Sequence, residues 1–171
     1  MEEKKTLVDE VASDTYDPSD RPFDFVEEGG KTALICESDP SIKAGIISVL
    51  KEIDYQITDT ASARDALKAM RFHVYEMVVL NENFDTDDPD ANNVLRYLER
   101  LTMGIRRNIF VTLISNRFRT TDNMAAFYKS VNTIVNVENL GDFKTIIKRG
   151  VADNEAFYHV FKETMKKMGR I

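Results

Sequence analysis

Several polar residues with chemically useful side chains follow directly on apolar segments of this chain. They are Glu37, Ser38, Asp39, Asn81, Ser115 and Asn136. In a parallel sheet the carboxyl ends of the strands meet at one edge, where ligands and reactions are usually found. Carboxylate oxygens there could hold a hard cation, and a hydroxyl could contact a bound group. The residue types and their order therefore direct attention to the strand ends.

The apolar pattern predicts the elements that would position these residues. The segments KTALICE, YQITDT, YEMVVLN, NIFVTLIS and TIVNV are typical of strands, and helical apolar spacing lies between them. Asp39-Pro40 and Asp122 are predicted to begin helices. Gly150 is predicted to interrupt or end the last helix of this series. Five strands alternating with five helices favour a parallel sheet covered by helices on both faces.

The composition is that of an ordinary soluble globular protein. The chain has 171 residues, of which 43% are hydrophobic and 30% are charged. Its first residues lack the apolar core of a signal peptide, and no apolar run is long enough to span a bilayer. Cys36 is the only cysteine, so an internal disulfide is impossible. We expect a cytoplasmic protein without membrane insertion, with Cys36 as an inert buried thiol.

The acidity of the chain is concentrated near its beginning. Residues 1–30 contain ten acids and three bases, and few large apolar side chains. We expect a mostly flexible acidic arm over 1–30, in which Phe23, Phe25 and Val26 could dock. Six arginines lie in residues 96–119, and the arm is hypothesised to cover this basic region. Without an aromatic platform beside these arginines, nucleic acid is not an expected partner.

Over about residues 31–148 the chain resembles the receiver domain of bacterial response regulators, the CheY-like family. The resemblance depends on CESDP after the first strand, VVLNENF at the third, LISN at the fourth and VNTIVNVENL around the fifth. It implies a flavodoxin-like three-layer α/β sandwich with a five-stranded parallel sheet in the order 2-1-3-4-5. The chain would then divide into the arm, a receiver-like domain over 31–150 and a C-terminal helical extension over 151–171.

The resemblance also implies roles for the strand-end residues. In the family, an acidic pair and an aspartate bind magnesium, the aspartate accepts a phosphoryl group, and a hydroxyl and a lysine contact that group. The matching positions here are Glu37 and Ser38 for the acidic pair with Asp39 just beyond, Asn81 for the acceptor, Ser115 for the hydroxyl, Asn136 for the lysine and Thr133 for the switch aromatic.

The departures from the family pattern predict a pseudo-receiver. Asn81 is a neutral amide and no useful phosphoryl acceptor, while Ser38 and Asn136 remove a charged metal ligand and the phosphoryl clamp. We therefore expect no enzyme activity, metal or cofactor. We expect a phosphorylation-independent interaction module for an unidentified protein partner in bacterial signal transduction, with a fixed polar network at the strand ends.

Two rival functions stay open at this point. A receiver could be phosphorylated unconventionally at Glu37, Asp39 or Glu82. Against Glu82, neighbouring strand residues point to opposite faces, so it could reach the pocket only from an irregular loop. The second rival is a small-ligand sensor that uses the same strand-end pocket.

Two further segments can be explained by structural roles within the domain, although the second could also bind a partner. The acidic segment FDTDDPD is interpreted as a solvated loop in which Asp88 or Asp90 caps the following helix. Near the end of the chain, an apolar stripe at helical spacing either packs on its own domain or forms a partner face, with a homodimer as one alternative. Its residues are Phe157, Phe161, Met165 and Met168.

Overall fold

The computed structural model describes residues 6–15 and 30–170. The strands of its one sheet are β1 (Lys31–Cys36), β2 (Tyr55–Asp59), β3 (Met77–Asn81), β4 (Phe110–Ser115) and β5 (Thr133–Asn136). All neighbouring strands are parallel, and their order is β2-β1-β3-β4-β5. The predicted fold class and strand order are confirmed.

Helices lie between the strands, before β1 and after β5. They are α1 (Leu7–Ser13), α2 (Pro40–Glu52), α3 (Ala63–Phe72), α4 (Asn93–Arg100), α5 (Met103–Arg106), α6 (Asn123–Tyr128) and α7 (Phe143–Lys167), with short 3-10 helices at Pro89–Ala91 and Val137–Asp142. As predicted, Asp39 and Asp122 are N-caps whose carboxylates accept backbone N–H groups of the first turns of α2 and α6.

The sheet has an apolar core on each of its two faces. In β1, Leu34 and Cys36 face α3, α4 and α6, while Ala33 and Ile35 face α2 and α7. This alternation follows from the two-residue period of a strand that is covered on both sides. Burial raises the pKa of the Cys36 thiol to about 12, which agrees with the expected inert thiol.

The expectation of a mostly flexible arm is wrong for residues 6–15. Thr6 and Asp9 form a capping box at the start of α1, and the buried side chain of Val11 joins the core beside α3 and α4. Arg64 forms ion pairs at 3.0 Å with two acids of this segment, Glu10 and Asp14. The arm was expected to cover the arginines of residues 96–119. In the described residues, Nη1 of Arg100 lies 3.7 Å from Oδ1 of Asp9 in α1. Phe23, Phe25 and Val26 lie outside the described residues.

The division between domain and extension at residue 150 is not a break in the structure. The helix α7 runs continuously from Phe143 to Lys167, so Gly150 neither interrupts nor ends it. A Cβ atom at Gly150 would lie 2.8 Å from Cζ of Phe110, and glycine therefore permits the helix to approach the sheet. Neither α7 nor another helix in the described ranges is both long and apolar enough to cross a membrane.

Candidate functional site

Asn81 and Glu37 meet at the carboxyl ends of β3 and β1. The amide Nδ2 of Asn81 donates to Oε2 of Glu37 at 2.7 Å, and Oε1 of Glu37 accepts the backbone N–H of Asp39 at 2.9 Å. Glu37 is only 2% exposed, although it carries a carboxylate. The Asn81 amide thus stands beside a buried acid as a hydrogen-bond donor.

The opposite end of the Asn81 amide is also engaged. Its Oδ1 accepts the backbone N–H of Asn83 at 2.9 Å, and its backbone carbonyl accepts the N–H of Phe84 at 3.0 Å. The buried side chain of Asn92 donates to the carbonyls of Asn81 and Glu82, and its Oδ1 caps α4 at Leu95. These bonds hold the turn after β3 in one arrangement.

Ser115, at the end of β4, is bonded to Glu82. Its hydroxyl donates to Oε1 of Glu82 at 2.6 Å, and Glu82 is 2% exposed. Glu82 meets the condition that the period-two argument set, because β3 ends at Asn81 and Glu82 is the first residue of the following turn. Glu82 therefore belongs to the strand-end site. Strand alternation alone would have pointed its side chain to the opposite face of the sheet from Asn81.

Arg117 supplies the counter-charge for the buried Glu82 carboxylate. Its Nε and Nη2 both donate to Oε2 of Glu82, at 3.0 and 2.8 Å. The hydroxyl of Ser115 in turn accepts the backbone N–H groups of Arg117 and Phe118 at 3.0 and 3.2 Å. The bond to Glu82 raises the pKa of the Arg117 guanidinium, so Arg117 stays charged.

The ion pair continues outward through Asp90 to Lys129. Nη2 of Arg117 lies 3.4 Å from Oδ1 of Asp90, and the ammonium group of Lys129 donates to the same oxygen. The hydrogen bonds from Lys129 and Arg117 hold the pKa of the Asp90 carboxyl below its ordinary value. This charge chain (Glu82, Arg117, Asp90 and Lys129) links the loops after β3 and β4 to the end of α6.

Of the remaining predicted site residues, Asp39 and Asn136 have local structural contacts. Ser38 and Asp39 are exposed, and Oδ1 of Asp39 accepts the N–H groups of Ser41 and Ile42 at 2.8 and 3.0 Å. At the end of β5, Asn136 donates through Nδ2 to the carbonyl of Phe118 at 2.8 Å. The six predicted positions thus divide into the bonded pair Glu37 and Asn81, Ser115 bonded to Glu82, Asp39 and Asn136 with bonds to nearby backbone groups, and the exposed Ser38.

Thr133 occupies the predicted switch position without any aromatic ring. It is 8% exposed, lies in register with Thr112 of β4, and lines an open groove of about 590 Å³ beside α7. Phe157 lies at this groove too. The hydroxyl of Thr112 is buried and has no hydrogen-bond partner among the described residues.

The acidic loop after β3 has a structural role. Oδ2 of Asp85 accepts the N–H of Ala63 at the start of α3, and Asp88 caps the 3-10 helix Pro89–Ala91. The cap of α4 is Asn92, so the prediction that Asp88 or Asp90 caps that helix is wrong. Within 6–15 and 30–170, no cluster of three or more acidic, histidine or cysteine side chains is arranged to hold a metal ion.

Sequence analysis missed the roles of Arg117, Asp90 and Lys129. In the sequence Arg117 belongs to the basic run of residues 96–119, and Lys129 belongs to no motif. A usable signal was present, because Arg117 follows Ser115 by two residues and Glu82 follows Asn81 by one, at the ends of the adjacent strands β4 and β3. Opposite charges just beyond neighbouring parallel strands are placed to meet.

Comparison with known proteins gives matches at the level of structure. No family model matches the chain, and no curated protein matches it in sequence. The structure is similar to a response regulator of Chloroflexus aurantiacus J-10-fl, with 14% identity, a TM-score of 0.58, and coverage of 72% of this chain and 98% of that one.

Two further solved structures extend this similarity. The receiver domain of the sensor histidine kinase PA1611 of Pseudomonas aeruginosa PAO1, whose active-site cleft holds magnesium, has a TM-score of 0.56 at 14% identity over 72% of this chain and 99% of that one. A CheY-like receiver domain protein of Methanospirillum hungatei JF-1 has a TM-score of 0.57 at 14% identity over 75% of this chain and 98% of that one. At this identity the matches establish the fold.

Proposed function

We propose that this chain, which has the fold of response regulator receiver domains, is a pseudo-receiver that binds a protein partner without being phosphorylated. It would serve two-component signal transduction in bacteria as a cytoplasmic interaction module, and it would not be an enzyme. The observation that carries the proposal is the 2.7 Å hydrogen bond from the Asn81 amide to the Glu37 carboxylate.

That bond supports the proposal through charge and chemistry. Phosphoryl transfer to a receiver needs a carboxylate nucleophile, a divalent ion and a cation near the transferred group. At the acceptor position Asn81 has an amide, whose Nδ2 carries hydrogen atoms and donates to the neighbouring acid. Asn136, at the position of the family's lysine, is neutral and donates to the carbonyl of Phe118.

The contacts of the other carboxylates weigh against phosphorylation at a relocated acceptor. Oε1 of Glu82 accepts from Ser115 and Oε2 from Arg117, while Glu37 accepts from Asn81 and the N–H of Asp39. Both acids are 2% exposed, so their oxygens face protein donors and not solvent. Asp39 is exposed, but its Oδ1 caps α2, and a phosphoryl group there would compete with that cap.

The Glu82–Arg117 pair suggests how a receiver-like domain can dispense with phosphorylation. In the family the hydroxyl after the fourth strand contacts the phosphoryl group. Here a carboxylate of the chain itself takes the Ser115 hydroxyl at 2.6 Å, and Arg117 fixes that carboxylate. We infer that the loop after β4 is held permanently in one arrangement, which the partner would recognise.

Intact-protein mass spectrometry tests the proposal. The full chain is incubated with magnesium and acetyl phosphate beside two controls, a receiver of known activity and the variant Asn81→Asp. We expect no mass gain for the wild-type chain. A gain of one acid-labile phosphoryl group on the wild type would overturn the proposal, and its loss in Glu82→Gln, Glu37→Gln or Asp39→Asn would then locate the acceptor. A gain in Asn81→Asp alone would isolate the amide as the decisive residue.

A further inference from the structure

Two apolar surfaces of the described chain differ in what covers them. Towards the end of α7, Phe157 is 79% exposed and Met168 is 56% exposed. Between them, Phe161 and Met165 line a cleft with Arg107, whose guanidinium lies over the Phe161 ring at 4.3 Å. The face formed by α3 and α4 is instead covered by α1. This second surface therefore shows what kind of segment it accepts.

The apolar contact of α1 comes from one side of the helix. Val11 is 3% exposed and belongs to the core cluster that α3 and α4 form on this face of the sheet. Leu7 and Val8 are partly buried and pack against the same cluster. Because positions i, i+1 and i+4 share one side of a helix, α1 is amphipathic. The surface thus accepts a helix through an apolar contact about one helical turn long.

The charges of α1 and of the surface beneath it are complementary. Arg64 of α3 lies 3.0 Å from both Glu10 and Asp14, and Arg100 of α4 lies 3.7 Å from Asp9. Residues 7–14 contain three acids and no base. On α3 and α4 together, five bases outnumber two acids; they are Arg64, Lys68, Arg71, Arg96 and Arg100 against Asp65 and Glu99. The surface therefore favours an acidic helix.

Arg71 binds the carboxyl end of α1 through the backbone. Its Nη1 donates to the carbonyls of Val11 and Asp14, at 2.9 Å each. The last carbonyls of a helix have no partner within the helix, and a cation there is favourable. The last turn of α1 has no base of its own, so Arg71 supplies this charge. Because these bonds go to backbone oxygens, they select a helix end and not a particular side chain.

The docking of α1 depends on few and weak contacts. The helix has seven residues, and isolated helices shorter than about 12–15 residues are marginal in water. Val11 is its one fully buried side chain. The side chains of Arg64 and Arg100 are 43% and 56% exposed, and such exposed ion pairs contribute little. Undocking of α1 should therefore be far less costly than unfolding of the sheet.

We propose that the face formed by α3 and α4 is a docking surface for an acidic amphipathic helix of the protein partner, and that α1 occupies it as a displaceable pseudo-ligand. The partner helix would place apolar residues over the core cluster, acids beside Arg64 and Arg100, and its carboxyl end at Arg71. Since α1 belongs to the same chain, it competes locally with the partner. The inference rests on the proposed function as an interaction module, and it adds a contact beyond the loop after β4.

Hydrogen exchange of the wild-type full chain tests whether α1 is displaceable. The amide of Glu10 bonds the carbonyl of Thr6 at 3.0 Å within this segment, whereas Val79 lies in the buried strand β3. We expect the Glu10 amide to exchange at least roughly 100-fold faster than that of Val79, through local opening. Equal protection of the two amides would overturn the proposal, because α1 would then open only with the whole domain.

A titration on the full chain tests the docking surface. The variant Val11→Asp removes the apolar anchor of α1 from its own chain, and the probe is a synthetic peptide of residues 6–14 with the wild-type sequence. NMR should show shifts at α3 and α4 at roughly tenfold lower peptide concentration in Val11→Asp than in the wild type, where α1 competes. The same peptide carrying Val11→Asp should cause no shifts. Circular dichroism should show that the variant chain keeps its fold.

Charge reversal tests the recognition of the acids. Adding Arg64→Glu to the Val11→Asp chain should weaken peptide binding by roughly tenfold, since two ion pairs become repulsive. The matched control is Arg96→Glu on the exposed side of α4, where no ion pair with α1 is formed in the described residues and binding should change by less than about twofold. Equal effects of the two reversals would overturn the proposal.

Two other results would contradict the docking surface. One is an absence of shifts at α3 and α4 with millimolar wild-type peptide. The other is a wild-type chain that sediments as a dimer and becomes monomeric in Val11→Asp, because the occupant would then be α1 of a second copy. Phosphorylation of the wild-type chain would overturn the proposed function without changing these binding results, so the two proposals fail separately.

Discussion

The hydroxyl of Ser115 donates to the carboxylate of Glu82 at 2.6 Å, at the edge where β3 and β4 end side by side. The two residues stand just beyond neighbouring parallel strands, and Arg117 balances the buried charge through two further bonds. A buried carboxylate is tolerated only when donors replace its lost hydration. The position of Ser115 therefore depends on an ion pair within the chain.

Removal of Arg117 should destabilise the domain. In Arg117→Ala the Glu82 carboxylate stays buried with only Ser115 and the N–H of Asn116 as donors, and we expect a loss of about 2 kcal/mol in the free energy of unfolding. Urea unfolding measures the change. Adding Glu82→Gln should recover part of the loss, because no unpaired charge remains. Equal losses in the single and double variants would contradict the assignment of the loss to an unpaired Glu82 charge.

Stability should fall in acid through Asp90. Lys129 and Arg117 lower the pKa of its carboxyl from 3.8, so the folded state binds this proton less readily than the unfolded state does. The resulting stabilisation is present above pH 3.8 and is lost as the pH falls through the lower folded pKa. In Lys129→Met the NMR-measured pKa of Asp90 should rise towards 3.8. An unchanged pKa in that variant would contradict the assignment of Lys129 as the main cause.

Two isosteric threonine substitutions should have effects of opposite sign. The buried Thr112 hydroxyl has no hydrogen-bond partner among the described residues, so Thr112→Val should stabilise the domain by about 1 kcal/mol. Thr60, also buried, donates to the carbonyl of Ile35 at 3.0 Å, so Thr60→Val should destabilise by a similar amount, about 1 kcal/mol. Thermal unfolding of the pair checks both signs. A loss of stability in Thr112→Val would indicate that its hydroxyl has a partner.

An aspartate at position 81 should make stability depend on magnesium. Asn81→Asp replaces a donor with a second carboxylate beside Glu37, and we expect a loss of roughly 1–3 kcal/mol in magnesium-free buffer. Magnesium should reverse much of this loss by binding between the two acids. The matched control is Asn83→Asp in the exposed part of the turn, where magnesium should have little effect. Chemical unfolding with and without magnesium provides the measurement. An equal gain in unfolding free energy on adding magnesium to the two variants would contradict the prediction.

Alanine should have opposite effects at two helical glycines. At Gly45 in α2 an added Cβ meets nothing within 4 Å, so Gly45→Ala should stabilise by about 1 kcal/mol through helix propensity. At Gly150 the same group would lie 2.8 Å from the Phe110 ring, and overpacking should outweigh propensity with a net loss of about 1 kcal/mol. Equilibrium unfolding compares them. Stabilisation by Gly150→Ala would mean that the ring moves aside freely.

Sequence patterns were sufficient for the five strands and for the main helices between them, but not for α1 or α5. Apolar runs such as KTALICE and YEMVVLN predict buried strands, and helical spacing of apolar residues between them predicts the crossover helices. These predictions work because strands and helices each repeat their side-chain directions with a fixed period along the chain. The pattern failed at Gly150, where propensity alone predicts an interruption. Close approach of α7 to Phe110 makes glycine favourable there, and this contact is tertiary.

The candidate site divides in the same way. The sequence by itself determined which residues stand at the strand ends, because strand ends are local features. One of them is the neutral Asn81, which stands where receiver domains have the aspartate that accepts a phosphoryl group. Only the tertiary structure decided that Glu82 bonds Ser115, that Arg117 neutralises Glu82, and that α1 docks on α3 and α4. Side-chain direction at the first residue after a strand is set by the turn and by donors from other segments. No single segment carries that information.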